Sequence, residues 1–232
     1  MSLLVRSWNV FHGNAVPPRR RGFLREMLQL ATADRPDVLC LQELPAWSLP
    51  LLHAWTGMQS DGAITRPPLW PAPLSAWLTR RHQAFFRSGL AGQANAILVS
   101  EELACEDLGK ERISGPGRER RICQAARIAD RLVVANLHAT NDFRRPHIPA
   151  VEVEQARRFA EGLARPGEPV ILAGDFNFHA PELPGYSAPG PGIDHVLVRG
   201  AASTPVIVWP LERHTVEGIV LSDHAPVESR VG

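Results

Sequence analysis

Cysteine is scarce in this chain of 232 residues, and long apolar runs are absent. The three cysteines, Cys40, Cys105 and Cys123, have neither the spacing of a structural zinc site nor the pattern of a disulfide framework. No apolar stretch approaches the length of about 20 residues that a membrane-spanning helix needs. No secretory signal precedes the first predicted strand, which begins near Leu3. We therefore expect a cytoplasmic protein without a membrane span.

An excess of either charge is also lacking. Lysine and arginine together number 25, aspartate and glutamate 24, and the formal net charge is +1. This balance gives no overall attraction toward a polyanion, so contact with nucleic acid would need a local basic patch. Low-complexity tracts and Gly/Ser linkers are missing too. We predict one domain over residues 1–232, with no obligate protein partner.

The apolar pattern predicts two similar units of strand, helix and strand. In the first, strands at residues 3–10 and 38–41 flank a helix in which Phe23, Met27 and Leu30 recur at helical spacing. In the second, strands at residues 132–137 and 170–173 flank a helix over residues 151–164. Right-handed crossovers of this kind build two sheets, each covered by its own helices. We expect an α/β (α+β) fold, a four-layer α/β/β/α sandwich of two packed mixed sheets.

The remaining strands are predicted to be short and antiparallel, at residues 94–99, 123–129, 195–198, 206–209 and 225–231. Residues 56–93 are the least regular part, with four prolines, Trp70, Trp77 and a short helix predicted over residues 74–86. We expect a surface excursion or lid there. Its tryptophans could contact substrate or pack the excursion onto the body.

Distinctive polar clusters stand at the predicted strand ends. They are Trp8-Asn9, Gln42-Glu43, Asn136-Leu137-His138, Gly174-Asp175-Phe176-Asn177, Ile193-Asp194-His195 and Ser222-Asp223-His224. Because strand ends meet along one rim of a sheet, these side chains can converge. Asp194 and His224 precede their strands, and a returning strand begins at the rim where an outgoing strand ends.

Four carboxylates of these clusters would then lie close together, those of Glu43, Asp175, Asp194 and Asp223. Two like charges about 4 Å apart repel by about 4 kcal/mol at an effective dielectric constant of about 20. A cation among them would relieve this repulsion. Carboxylate and amide oxygens suit a hard ion such as Mg²⁺, which completes its shell with water and substrate phosphate.

The order of the six motifs resembles the endonuclease/exonuclease/phosphatase superfamily. That superfamily includes pancreatic deoxyribonuclease, abasic-site endonucleases, sphingomyelinases and inositol polyphosphate phosphatases. Each motif alone is a weak signal, but six in the same order are a strong one, and they span nearly the whole chain. The resemblance implies the four-layer sandwich and divalent-metal-dependent attack of water on phosphorus.

The resemblance also implies roles for particular residues. Glu43 corresponds to the principal metal ligand, Asn9 to an amide ligand or orienter beside it, and Asp223 to a second carboxylate on the metal side. A solvated or helix-capping glutamate and a turn asparagine are the simpler alternatives. Asp175 would orient the attacking water, and Asn177 would donate to the developing charge, unless the two form only an Asx turn.

Two histidines complete the implied set. Asp194 would fix the tautomer of His224, which acts on the phosphate or its water. His138 corresponds to the histidine that contacts phosphate or protonates the leaving group. Asn141 could bind phosphate or cap a turn, and Arg121 could clamp phosphate or remain a solvated surface arginine.

The shared core does not decide the substrate. Phe11 stands where abasic-site endonucleases carry an acidic residue, and the only tyrosine, Tyr186, lies downstream of where theirs is found. We expect a Mg²⁺- or Mn²⁺-dependent phosphodiester hydrolase, with a small nuclease among the candidates. A phosphatase acting on a sugar, inositol or lipid phosphate is the alternative, and a catalytically silent interaction module is the least favoured.

Overall fold

Two large β-sheets carry the polar clusters. The computed structural model describes residues 2–19, 21–81 and 88–232. The strands are β1 (Leu3–Asn9), β2 (Ala15–Val16), β3 (Val38–Leu44), β4 (Met58–Arg66), β5 (Gln93–Ser100), β6 (Cys105–Arg112), β7 (Ile122–Ile128), β8 (Leu132–His138), β9 (Val170–Asp175), β10 (Asp194–Arg199), β11 (Ile207–Val208), β12 (Thr215–Val216), β13 (Ile219–Leu221) and β14 (Val227–Val231). The helices are α1 (Leu24–Thr32), α2 (Leu52–Thr56), α3 (Ala72–Arg81), α4 (Ser88–Ala91) and α5 (His147–Leu163).

Both large sheets are mixed. The first has the strand order β11-β14-β1-β3-β5-β4 and the second β10-β9-β8-β7-β6, while β12, β13 and β2 form a small third sheet. The parallel pairs are β1 with β3 and β8 with β9, and they are joined through α1 and α5 respectively. These are the two predicted strand-helix-strand units. The last strand, β14, pairs antiparallel with the first, so both ends of the chain belong to one sheet.

Three apolar cores separate four layers. Met27 of α1 lies in the core between that helix and the first sheet. Val5 and Val134 lie in the core between the two sheets. Val133 shares a third core with Ala156 of α5, because successive strand residues point to opposite faces. The layer order is therefore helix, sheet, sheet, helix, and the predicted sandwich is confirmed.

The structure corrects the prediction for residues 56–93. β4 pairs antiparallel with β5 along its length, so part of the expected excursion is an edge strand of the first sheet. Polar residues such as Asp61 hide this strand in the sequence, because one face of an edge strand is solvated. The predicted helix over residues 74–86 begins earlier, at Ala72, and is described to Arg81. Its remaining residues, 82–86, lie outside the described part of the chain.

Other element boundaries also differ from the sequence-based expectation. The edge strand β6 was not predicted, since most of its residues are exposed and charged. Helix α5 begins at His147, four residues before the predicted start. Among the described residues, no helix has the length and apolar character needed to cross a membrane.

Candidate active site

Strand register brings the predicted site residues to one rim of the sandwich. Asn9, His138 and Asp175 are the last residues of β1, β8 and β9. In the second sheet, Asp175 lies opposite both His138 and Asp194, because β9 pairs with β8 on one side and β10 on the other. His224 arrives from the segment before β14. Residues from both ends of the chain thus meet in one cluster.

Asp175 is the centre of this cluster and is almost fully buried. The Asn9 amide donates from Nδ2 to Asp175 Oδ2 over 3.0 Å. The same oxygen lies 3.5 Å from His138 Nε2 and 3.9 Å from His224 Nε2. The other carboxylate oxygen, Oδ1, accepts the Asn177 backbone N–H at 2.9 Å. These contacts leave Asp175 a single orientation.

Glu43 stands on a local irregularity of β3. The pairing of β3 with β5 shifts between Leu41 and Leu44, and Glu43 has a φ of +54°. Left-handed backbone at a non-glycine residue is strained, and such strain is often found at functional sites. The irregularity places Glu43 Oε2 3.4 Å from His12 Nε2 and Oε1 3.7 Å from His138 Nε2.

Both central carboxyl groups are destabilised in their ionised form. Burial, and then the negative charge of Asp194, raise the pKa of Asp175 to about 7. Burial also raises the pKa of Glu43, against the opposing effects of His224 and the Asn9 amide. A cation placed between these groups would favour their ionised forms. The donor chemistry of the rim therefore fits a hard divalent ion.

His224 and Asp194 form a hydrogen-bonded pair, with Nδ1 and Oδ2 separated by 2.7 Å. Burial alone would lower the pKa of His224, but the hydrogen bond and charge of Asp194 outweigh it and raise that pKa to about 10. The backbone around the ring is also anchored. Trp8 Nε1 donates to the His224 carbonyl at 2.8 Å. The Ser222 hydroxyl accepts the His224 N–H and donates to the Asn9 carbonyl.

His138 has a different electrostatic environment. Arg121 Nη1 lies 3.0 Å from its Nδ1 and 3.1 Å from its Nε2, and the Gln93 amide lies 3.4 Å from Nδ1. Burial, followed by the positive charges of Arg121 and His224, lowers the pKa of His138 well below its usual value. The pKa values of the two histidines are therefore shifted in opposite directions.

The interpretation of Arg121 as a solvated surface residue is wrong. Its side chain is buried, with Nη2 donating to Glu119 Oε2 at 3.2 Å. Its Nε is buried without a hydrogen-bond partner among the described residues. The buried guanidinium of Arg121 places a strong positive charge beside His138 at the rim. The sequence did not indicate this burial, because the arginines around Arg121 in the chain are exposed.

The structure contains the Asx turn that was the alternative given for Asp175 and Asn177. Asn177 has a φ of +48°, so residues 175–177 are not extended, and its N–H bond to the Asp175 side chain forms this turn. Its side-chain amide donates to the Ala139 carbonyl at 3.0 Å. Asn177 therefore joins the loop after β9 to the loop after β8, and it still lies within the cluster.

Two other predicted residues lie at the edge of the cluster. Asp223 is exposed, and its negative charge acts on both Glu43 and His224, so it lies on the solvent side of the rim. Asn141 is exposed in the loop after His138. Within the described residues, Asn141 takes no part in the contacts that hold the cluster together.

Some motif residues lie beneath the site. The Gln42 amide donates to Asn136 Oδ1 at 2.8 Å, and Asn136 Nδ2 donates to the carbonyls of Leu41 and Ala96. Gln42 and Asn136 belong to different sheets, so these bonds tie the two sheets together below Glu43 and His138. Sequence reasoning placed both residues in site motifs but did not identify this structural role.

A further supporting residue, Glu152, was also missed. It lies on α5, and its carboxylate accepts the Thr140 backbone N–H at 2.6 Å and the Thr140 hydroxyl at 2.8 Å. Glu152 is buried, so it anchors the loop that follows His138. The available signal was its position beside Val153 and Ala156 on the inward face of the helix.

Within the described ranges of the chain, one set of acidic and imidazole groups at the rim has the spacing of a metal site. Ligand atoms of Asp175, Asp194 and His224 lie within 4.8 Å of one another. However, the short bond between Asp194 and His224 already pairs two of these groups. Asp194 and His224 therefore form an acid–imidazole pair beside the carboxylate of Asp175.

Comparisons with known proteins agree with this arrangement. Solved structures with similar folds include a functionally unknown conserved protein from Enterococcus faecalis V583, with 16% identity, 99% of both chains covered and a TM-score of 0.70. A mannosyl-6-phosphatase from Bacteroides thetaiotaomicron has 17% identity, 99% coverage of both chains and a TM-score of 0.70. TDP2 from Caenorhabditis elegans has 14% identity and a TM-score of 0.68, with 100% of this chain and 74% of that chain covered.

At these identities, the structural likeness establishes the fold. Among the curated proteins, none matches the sequence significantly. The sequence itself matches the model of the Endonuclease/Exonuclease/phosphatase family over residues 7–224, which covers all six motifs. This chain therefore belongs to the endonuclease/exonuclease/phosphatase family.

Proposed function

We propose that this protein is a divalent-metal-dependent phosphodiester hydrolase, in which an activated water attacks phosphorus in line. Family membership supports a phosphoesterase in general. The observation that supports attack of an activated water on phosphorus is the convergence on Asp175 of an amide, from Asn9 at 3.0 Å, and two imidazoles, from His138 at 3.5 Å and His224 at 3.9 Å.

Glu43, Asn9 and Asp223 are the residues that would hold the cation. Mg²⁺ or Mn²⁺ suits their oxygen atoms and, when bound, supplies positive charge beside a phosphoryl oxygen. Asn9 Oδ1 accepts the Phe11 N–H at 3.0 Å, so the amide is oriented by the backbone after β1. This contact supports an orienting role for Asn9 as well as a ligand role.

Asp175 is the residue we assign to the attacking water. Its position between Asn9 and the two histidines would align a water molecule, and a pKa near neutrality allows it to accept a proton. The Asn177 amide has two hydrogens, of which one bonds to Ala139, so the second can donate to charge that develops on the phosphoryl oxygens.

The two histidines would act differently. His224 carries a proton at neutral pH, so it can donate from Nε2 to a phosphoryl oxygen while Asp194 holds Nδ1. His138 is neutral, and the adjacent Arg121 supplies the positive charge that binds phosphate there. Asn141, exposed at the entrance, would contact the phosphate or its ester group.

A phosphatase acting on a sugar phosphate is the second candidate function. It is favoured by the mannosyl-6-phosphatase whose fold matches over 99% of both chains. Both candidates share attack on phosphorus and the same rim residues. Their substrates differ, because a phosphodiester carries two ester groups on the phosphate and a phosphomonoester carries one. The substrate screen distinguishes the two.

The test is a hydrolysis screen of the purified protein with Mg²⁺, Mn²⁺ or EDTA. The substrates are supercoiled plasmid DNA, RNA, bis-(4-nitrophenyl) phosphate, sphingomyelin, inositol phosphates and mannose 6-phosphate. Metal-dependent nicking or nitrophenolate release supports the diesterase, whereas orthophosphate release from a monoester supports the second candidate. Asp175→Ala should abolish either activity, with Asp130→Ala as a matched control because Asp130 is an exposed carboxylate remote from the rim. Unchanged hydrolysis by Asp175→Ala would contradict the site assignment.

A further inference from the structure

A second cavity lies beside the candidate active site, with a volume of about 380 Å³. Residues of α1, α2, α3 and the segment Ala46–Leu51 surround it. Pockets of this size hold small organic groups. The side chains that matter for its chemistry are His12, Arg25, Trp47, Trp55, Thr79 and Arg80.

Two tryptophans form a rigid aromatic wall of this cavity. Trp47 and Trp55 pack edge to face, with ring centroids 6.1 Å apart and planes at 79°. Trp47 Nε1 donates to Thr79 Oγ1 at 2.9 Å, which fixes the indole against α3. Both rings are only partly buried. An oriented, partly exposed indole is a platform on which a flat ring can stack.

The cavity is also positively charged. Arg25 and Arg80 are exposed, and within the described residues neither forms an ion pair. The Arg80 guanidinium lies 5.2 Å from the centroid of Trp47, so charge and aromatic surface adjoin. The acidic group of the lining, Glu26, is paired with Arg21 at 3.1 Å. An anionic ligand therefore complements this wall.

The cavity and the candidate active site share a wall. His12 lines the cavity, while its Nε2 lies 3.4 Å from Glu43 Oε2. A ligand in the cavity is therefore separated from the proposed cation site by one side chain. This adjacency suits one substrate molecule whose phosphate lies at the rim and whose organic group lies on the cavity side of His12.

We propose that this cavity binds the organic group of the substrate. Its ring would stack on Trp47, and a second phosphate on the ring would bind Arg25 and Arg80. The inference rests on the proposed function, because it places the reacting phosphate at the rim. Nucleoside 3′,5′-bisphosphates and sugar bisphosphates share this chemistry, since both carry two phosphates and a ring that can pack on indole.

The test is equilibrium binding in EDTA, which prevents metal-dependent turnover. The probes are thymidine 3′,5′-bisphosphate, thymidine 5′-monophosphate, glucose 1,6-bisphosphate and glucose 6-phosphate, each measured by calorimetry. In at least one of the two series, we expect the second phosphate to tighten binding by about tenfold, as charge-assisted hydrogen bonds do. The series with the larger gain in affinity shows whether the cavity prefers a nucleotide or a sugar phosphate.

Variants test whether this gain comes from the cavity. The double variant Arg25→Gln and Arg80→Gln should bring the affinity ratio of bisphosphate to monophosphate close to one. Arg158→Gln is the matched control, because Arg158 is exposed on the opposite helical layer and should leave the ratio unchanged. No gain in either series, or a gain that survives in the double variant, would overturn the proposal.

The contribution of the aromatic wall needs a separate readout. Trp47→Leu should weaken binding of the favoured bisphosphate by about tenfold, which is typical of the loss of a stacking contact. Should Trp47→Leu fail to fold, the indole N–H resonances of the wild type provide a second measurement, with the Trp47 signal assigned from Trp47→Phe. The bisphosphate should shift the Trp47 signal, and an unshifted signal would exclude stacking at this ring.

The two proposals can fail independently. If the protein hydrolyses no ester but retains the arginine-dependent gain in affinity, the proposed function is contradicted and binding of a bisphosphate in the cavity is supported. If it hydrolyses esters but shows no such gain, the cavity assignment is contradicted and the proposed function is supported.

Discussion

At the rim, two histidines with similar positions have different pKa shifts. His138 and His224 lie at comparable distances from Asp175, 3.5 and 3.9 Å. Asp194 stabilises the imidazolium of His224 and raises its pKa, whereas burial and then the charge of Arg121 lower the pKa of His138. The surroundings of each histidine, and not its distance from Asp175, therefore shift the two pKa values in opposite directions.

The Asp194–His224 pair yields the first prediction. Asp194→Asn should lower kcat/KM by about a hundred- to ten-thousandfold, the usual effect of disabling a proton-transfer group. The physical reason is that the neutral amide no longer stabilises the imidazolium at 2.7 Å. Steady-state kinetics on the best substrate of the screen would measure the effect. Asp130→Asn should retain full activity, and an Asp194→Asn enzyme as fast as the wild type would remove the pair from the mechanism.

At the scale of elements, α5 supports the rim through one buried carboxylate. Glu152 accepts two hydrogen bonds from Thr140, two residues after the end of β8. The helix thereby holds the loop that carries Asn141 and that receives the Asn177 amide at Ala139. Packing on the outside of the second sheet is in this way linked to the geometry of the site.

Glu152→Gln should destabilise the protein by about 1 to 3 kcal/mol, because two charge-assisted hydrogen bonds to Thr140 are replaced by weaker neutral ones in a buried position. Urea unfolding would measure the change. Glu154→Gln on the same helix should cost less than about 1 kcal/mol, since its arginine partners are more exposed. Equal losses in the two variants would mean that the Thr140 contact is not a particular source of stability.

At the scale of the whole molecule, the buried Gln42–Asn136 contact joins the two sheets. Asn136→Ala removes three hydrogen bonds at once and should destabilise the protein by about 2 to 4 kcal/mol. The exposed Asn141→Ala should change stability by less than about 0.5 kcal/mol. Thermal unfolding of both variants would test this.

We also expect a single cooperative transition, as one domain requires, and two separate transitions would contradict that expectation.

Cation binding should stabilise the whole molecule. A ligand that binds only the folded state at about 100 times its Kd adds about 2.7 kcal/mol. Mg²⁺ should therefore raise Tm relative to EDTA, and Glu43→Gln should remove most of that rise because the principal carboxylate is lost. Differential scanning calorimetry would measure both. An equal rise in Glu43→Gln would place the cation elsewhere.

The sequence predicted features that follow from residues close together in the chain. It missed features that depend on residues that are distant in the chain and meet only in the fold. Short apolar runs, with apolar residues at helical spacing between them, identified the two strand-helix-strand units, and the motif order indicated the family and the layered fold. The edge strands β4 and β6 escaped notice because solvated strands lose their apolar pattern. Arg121 could not be distinguished from surface arginines, because its burial depends on elements distant in the chain.

The sequence by itself determined which chemical groups are available at the strand ends, and in which order the chain presents them. Tertiary structure alone decided which groups touch. Strand register set Asp175 opposite both His138 and Asp194, and the return of β14 to β1 brought His224 to the same place. The physical reason is that burial and neighbouring charges change the protonation of a side chain, and both arise only when residues far apart in the chain are packed together.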